Sequence, residues 1–256
     1  MGTDLDRRFG GIGRLYGAAA QLLLRDAHVA VVGIGGVGSW SAEALARSGI
    51  GRLTLIDLDN IAESNANRQI HALEDTFGMA KVSAMATRIR AINPECRVHE
   101  VEDFITVGNV AALLGERPHV VIDAIDQVSA KVGMIAYCRQ ADIPIVVAGG
   151  AGGKVDPTKI RIDDLSRTVQ DPLLARVRSQ LRKTHGFTRD PRRKFSVAAV
   201  YSEEPLRQPA ADACETGSAA AGAGLNCAGF GSSMCVTASF GLFAAAAAIN
   251  LLLGRN

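Results

Sequence analysis

A chain of 256 residues, 48% hydrophobic, is long enough to bury a sizeable core as one large domain or two small ones, and predicts a soluble α/β protein. Its formal net charge of +2 hides an uneven distribution: residues 161–194 carry ten Lys or Arg against four acids, a net +6 that leaves −4 elsewhere. Five cysteines (Cys96, Cys138, Cys214, Cys227, Cys235) are an odd number in a chain too long to need disulfide staples. Together with an N-terminus, "MGTDLDRRFG", that lacks the apolar core of a signal peptide, they point to a reducing cytosol.

In chain order, residues 28–32 read as a buried strand and 36–47 as a helix, joined by "GIGGVG". Gly33, Gly35 and Gly38 form a G-x-G-x-x-G loop, with Gly36 inside it, the arrangement that brings backbone amides and a helix N-terminus close to phosphate. The next strand, "LTLID", ends on Asp57, nineteen positions after Gly38, where a carboxylate can accept hydrogen bonds from ribose hydroxyls. A helix over 80–92, a strand over 97–102, a helix around 107–114, a strand over 119–124, a helix near 129–140 and a strand over 144–150 follow. Such alternation predicts a Rossmann-like, doubly wound, mostly parallel sheet with ligand groups at the carboxyl ends of its strands.

Beyond residue 150 the pattern loosens into a C-terminal α/β extension. Strands are expected at 159–165 and 196–202, flanking a basic amphipathic helix at 172–183, with a Gly-, Ala-, Pro- and Ser-rich loop over 202–232. No linker separates independent units, so one domain over 1–256 is expected, its regular core at about 8–150. The final run, "VTASFGLFAAAAAINLLLG", nearly reaches the roughly 20 apolar residues of a membrane span, but Thr237, Ser239, Gly241 and Asn250 dilute it. A buried helix is the favoured reading and peripheral membrane attachment the alternative.

The crossover after Asp57 decides what the glycine loop holds. It gathers Asp59, Ser64, Asn65, Asn67, Arg68, Gln69 and Lys81. A nicotinamide ring would want an apolar slot here, as in a redox protein. An Arg and a Lys instead suit the triphosphate of ATP, because they offset charge that grows on the α-phosphate under nucleophilic attack.

"GIGGVGS", "LTLIDLD", "SNANRQ", "GMAKV", "INP" and "VIDAID", in this order over about residues 8–150, resemble the adenylation domain shared by ubiquitin-activating enzymes and the bacterial ThiF, MoeB and HesA proteins. The resemblance implies that a substrate carboxylate attacks the α-phosphate of ATP-Mg²⁺, giving an acyl adenylate and pyrophosphate. It implies an ATP-binding set of Gly33, Gly35, Gly36, Gly38, Asp57, Asp59, Ser64 and Asn65. Asn67, Arg68 and Lys81 would surround the reacting phosphate, with Asp126 as the magnesium-associated acid.

Two departures narrow the branch. The C-x-x-C pairs that carry zinc in sulfur-carrier activators are missing, so no structural zinc is expected. Where relatives that activate small proteins read R-Y-N-R, this chain has Gly11 at the second arginine, with Arg14 an open candidate for its role. These departures, with "RFGGIGRLYG", "NRQIHAL", "GGAGGKVDPTKI", "VQDPLL" and "CAGFGS", resemble a tRNA-modifying branch of the family. That resemblance implies dehydrating cyclisation of threonylcarbamoyladenosine in the anticodon loop, through an adenylate of the threonyl carboxylate.

On this reading tRNA is a partner, and Arg178, Arg182, Arg192 and Arg193 are candidates for its phosphates. The resemblance also implies a homodimer. Family members occur beside cysteine desulfurases, which makes such a system a candidate partner and Cys227 a candidate sulfur-transfer thiol; a small buried residue is the favoured alternative for that cysteine. The competing function is adenylation of a small Gly-Gly-terminated sulfur-carrier or ubiquitin-like protein.

Overall fold

The computed structural model describes residues 4–207 and 230–255. Seven strands form one sheet: β1 (His28–Val32), β2 (Arg52–Ile56), β3 (Arg97–Val101), β4 (Val120–Asp123), β5 (Ile145–Ala148), β6 (Ile160–Asp164) and β7 (Ala198–Ser202). Their order is β3-β2-β1-β4-β5-β7-β6, and every pairing is parallel except β6 with β7. β1, β4 and β5 are buried along their whole length, which explains why they read as unbroken apolar runs. The strand order turns back between β1 and β4, opening a crevice at their carboxyl ends.

Eight helices complete the described chain. α3 (Gly38–Arg47), α4 (Lys81–Ile92) and α8 (Met234–Leu252) cover one face, where Leu45, Ile89 and Phe240 share a core with Val29, Val31 and Leu53. α6 (Val128–Gln140) and α7 (Pro172–Thr184) cover the other with Ile135, Leu174 and Leu181, while α5 (Val110–Leu113) is a single turn ahead of β4. α5 is shorter than expected because the side chain of Asn109 accepts hydrogen bonds from Thr106 N–H and Oγ1, closing a turn where the helix was to begin.

Two helices escaped the sequence pattern. α1 (Leu5–Tyr16) is capped by the Asp4 carboxylate on the Arg7 N–H, and α2 (Ala18–Asp26) follows it after one residue. Between them they bury only Phe9, Ala20 and Leu24, leaving Leu15, Leu22 and Leu23 exposed. His28 of β1 and His71 of the crossover are buried polar exceptions, and burial holds both imidazoles down to about 4, hence neutral.

By length and composition α8 could cross a membrane, but ten of its residues are buried in this fold. It lies tightly on α3 at Gly241, whose carbonyl oxygen accepts the Ser41 hydroxyl at 3.0 Å. Met234, Leu242 and Phe243 remain exposed along its outer side.

At the carboxyl edge of β5, Gly153 N–H donates to the Gly231 carbonyl at 2.8 Å and the Gly153 carbonyl accepts Arg207 N–H at 2.9 Å. Cys214 and Cys227, and most of the expected 202–232 loop, lie outside the described residues. Among the described cysteines, Cys96 and Cys138 are buried, with thiols pushed up to about 11 and about 12 by burial, while Cys235 is exposed.

A β-carbon at Gly241 would fall 2.4 Å from the Val37 carbonyl oxygen and 2.7 Å from Trp40 Cβ, so α8 and α3 must separate to admit it. Gly241→Ala is therefore expected to destabilise the fold by about 1–3 kcal/mol, seen as a lower midpoint in urea denaturation. An unchanged midpoint would show that the two helices are not locked at this contact.

Candidate nucleotide site

At the carboxyl ends of β1, β2 and β4 the chain's chemistry converges. Gly33 takes φ +87° and faces Ala124 and Ile125, leaving 2.9 Å between a hypothetical β-carbon and Ile125 Cγ2. Gly38, first residue of α3, lies against Gly33 itself. Gly35 and Gly36 are the partly exposed rim of the loop, with the Arg68 stem and Thr237 over Gly36 and Gln69 beside Gly35. A backbone-lined cradle at a helix N-terminus, capped by an arginine, is chemically suited to phosphate.

Asp57 ties the loop to β2. Its Oδ2 accepts the Ile34 N–H at 2.6 Å and its Oδ1 the Asp59 N–H at 2.9 Å. Burial pushes this carboxyl up, while Lys81 and the two N–H groups pull it back. Lys81 Nζ lies 3.6 Å from Asp57 and 2.6 Å from Asp59, so it partners two carboxylates just beyond β2.

Along the crossover the predicted residues divide by role. Arg68 Nη1 donates to the Ser64 carbonyl at 2.7 Å and to Asn67 Oδ1 at 2.9 Å, and its own carbonyl accepts the Trp40 indole N–H. Asn67 Nδ2 donates to the Ser232 carbonyl at 3.0 Å, bringing the start of α8 to the same place. Asn65 is buried and its side chain accepts the Ala62 N–H, shaping the short 3-10 turn Glu63–Asn65. Asp126 stands half-buried on the turn after β4, with no hydrogen bond or ion pair to another described residue.

Sequence reasoning missed the pair beneath that turn. Asp123 and Lys131 are both fully buried and 2.8 Å apart, and Asp123 Oδ2 has no partner among the described residues. A lone lysine in the apolar stretch "VSAKVGMIAYC", eight residues after a strand-end aspartate, was the available signal.

The basic segment lies elsewhere. α7 starts beside Gly150 at the carboxyl edge, through Asp171, and runs toward the amino edge, where Asp164 accepts the Phe195 and Val197 N–H groups. Arg178 is half-buried and bonded to the Thr168 hydroxyl, and Arg182 donates to the Thr188 carbonyl with its guanidinium 5.2 Å from the Phe195 ring centre. Arg192 and Arg193 are exposed. The structure thus groups the four arginines along α7 and the loop after it, apart from the glycine loop.

A cavity of about 750 Å³ also opens at the amino edge, lined in part by Arg25, Arg52, Glu95, Glu116 and His119. Its charges pair internally, Arg25 with Glu95 at 3.2 Å and Arg52 with Glu116. The glycine loop, Asp57 and Arg68 are all at the other edge, which is therefore the candidate site.

The chain matches the ThiF family over residues 10–256. It is 51% identical over 255 residues to the tRNA threonylcarbamoyladenosine dehydratase of Haemophilus influenzae, covering 99% of this chain and 96% of that protein. To the Escherichia coli protein of the same name it is 50% identical over 253 residues, covering 97% and 94%. The crystal structure of the E. coli dehydratase in complex with ATP superposes with a TM-score of 0.89 at 48% identity, covering 99% of this chain and 97% of that one. A glycine loop at the sheet's reversal point, a carboxylate at the end of the next strand and a match over nearly the whole length agree: this chain belongs to the ThiF family.

Proposed function

We infer that this chain is an ATP-dependent tRNA-modifying enzyme that dehydrates and cyclises threonylcarbamoyladenosine in the anticodon loop. The observation that carries this reading is the near-full-length similarity, 51% identity over 99% of the chain, to a dehydratase of that substrate. The E. coli relative binds ATP, and the phosphate cradle supports the same ligand here.

In the proposed sequence a threonyl carboxylate oxygen attacks the α-phosphorus and pyrophosphate leaves. The ureido group of the same side chain then attacks the activated acyl carbon, AMP departs with the former carboxylate oxygen, and the product has lost one water. Intramolecular attack needs no external nucleophile because its effective concentration is high. Gly35 and Gly36 amides would hold phosphate oxygens, Asp57 the ribose hydroxyls, and Arg68 the charge growing on the α-phosphate. On ATP binding, Lys81 could redirect its ammonium from Asp59 toward phosphate, a short move for a flexible stem. Asp126, whose carboxylate has no partner among the described residues, fits Mg²⁺, which takes few protein carboxylates beside phosphate oxygens and would neutralise triphosphate charge.

The enzyme would act in the cytoplasm as a homodimer, pairing through exposed apolar residues such as Leu22, Leu23, Leu242 and Phe243. Light scattering at micromolar concentration and physiological salt should return twice the chain mass of 26.9 kDa. A monomer there overturns the dimer.

Incubating the protein with ATP and tRNA bearing uncyclised threonylcarbamoyladenosine in its anticodon loop should yield the cyclic nucleoside, lighter by one water, in mass spectrometry of digested nucleosides. Arg68→Ala and Asp126→Ala should each lower substrate-dependent ATP/pyrophosphate exchange by about 10²–10³-fold, or roughly 2.7–4 kcal/mol, while keeping the wild-type melting temperature. Wild-type exchange in either variant would remove that residue from the adenylation centre, and exchange stimulated by a Gly-Gly-terminated carrier instead of tRNA would favour protein activation.

RNA contact is assigned first to the exposed Arg192 and Arg193. Replacing both with Ala should weaken tRNA binding and reduce the slope of log K against log salt by up to about two units, leaving ATP affinity unchanged. An unaltered slope would move the RNA surface away from this loop.

A further inference from the structure

Lys131 has no exposed side-chain surface, a place an ammonium group occupies only when paired. Its Nζ donates to Asp123 Oδ1 at 2.8 Å and reaches the Asp123 carbonyl at 3.4 Å. The same Oδ1 accepts the Ile125 N–H at 3.2 Å, folding the chain back just after β4. Ala124 N–H donates to the Val32 carbonyl at 2.8 Å, and Lys131 N–H donates to the Gln127 carbonyl at 3.0 Å. The turn over 123–127 is therefore pinned to β1 on one side and to Lys131 on the other, and Asp126 is the half-buried acid it carries.

Lys131 also sits in a wider field of buried charge. Asp171 feels both Lys131 and Lys154, and Asp171 Oδ2 holds the Gly150 N–H at 2.9 Å. Burial pushes the Asp123 carboxyl up and Lys131 opposes that, so loss of the ammonium alone would leave Asp123 either unpaired or protonated. Either change loosens the Oδ1 acceptor that shapes the turn.

We propose that Lys131 is a positioning residue for adenylation: through Asp123 its ammonium fixes the turn that presents Asp126 to bound ATP. This rests on the adenylation reading above. Lys131 does not touch the nucleotide, so the turnover number should suffer and ATP affinity should not.

Lys131→Met keeps the stem and removes the charge, Lys131→Arg restores a charge, and the double variant Asp123→Asn/Lys131→Met removes both charges and the stability penalty of a lone buried carboxylate. In ATP/pyrophosphate exchange with tRNA substrate, Lys131→Met and the double variant should each lose about 10- to 100-fold in kcat, with the KM for ATP within about threefold of wild type. Lys131→Arg should recover most of the rate. Should Lys131→Met fail to fold, the double variant decides. A double variant with wild-type kcat would overturn the proposal, a lowered melting temperature beside it showing that the pair serves stability alone, and equal losses in kcat and ATP affinity would overturn it too. Absence of exchange by the wild-type protein would overturn the adenylation reading and this assignment with it, whereas exchange at one rate in wild type and all variants would overturn the assignment only.

Discussion

No atom larger than hydrogen fits on the α-carbon of Gly38. A β-carbon there would lie 1.7 Å from the Gly33 carbonyl oxygen and 3.2 Å from Ala124 Cβ, so the start of α3, the end of β1 and the turn after β4 form one backbone-to-backbone contact. From it follow the short reach from strand to helix, the exposed rim of Gly35 and Gly36, and the bond from Ile34 N–H to Asp57 that fastens β2 to the loop. The turn carrying Asp126 belongs to this contact through Ala124, and Arg68 closes it from above across Gly36. Close packing transmits position, so groups scattered between Gly33 and Asp126 become a rigid frame.

Charge is distributed around that frame with a consistent logic. Buried charges hold elements: Glu43 of α3 takes Arg88 of α4 at 2.6 Å and Arg47 of its own helix at 2.7 Å, Asp123 takes Lys131 under β4, and Lys154 donates to the carbonyls of Gln170, Ser202 and Glu204. Among the residues proposed for the nucleotide site, Arg68 and Asp126 are half-buried and Asp59 and Asn67 exposed, while Lys81 is buried and paired with Asp57 and Asp59. Desolvated charges cost too much to be left unpaired, so each ammonium inside the fold has a fixed set of oxygen partners.

The sheet was legible because parallel strands buried on both faces leave contiguous apolar runs, and because Asp57 follows such a run at the distance one crossover helix requires. α1 was not, since "LDRRFGGIGRLY" has three glycines and a single buried residue, Phe9, to mark its inner face. Arg178 and Arg182 looked like free cations because helical periodicity shows which face of α7 is polar; it cannot show that Thr168, Thr188 and Phe195 fold back over that face. Asp57 and Arg68 could be picked out as polar residues at a strand end and in a long crossover, whereas Asp126 was named through the family resemblance of "VIDAID". Lys131 sits in a helix whose inward face is not marked by any clear polar–apolar periodicity, so its burial shows only in the packed fold.

The two bonds at Gly153 have a consequence for how the ends of two elements are coupled. Positions 207 and 231 are anchored to the same residue, one five residues after β7 and the other three residues before α8. Gly153 is therefore a joint shared by the exit of β7 and the entry of α8, and a change that displaces its backbone is felt at both elements at once.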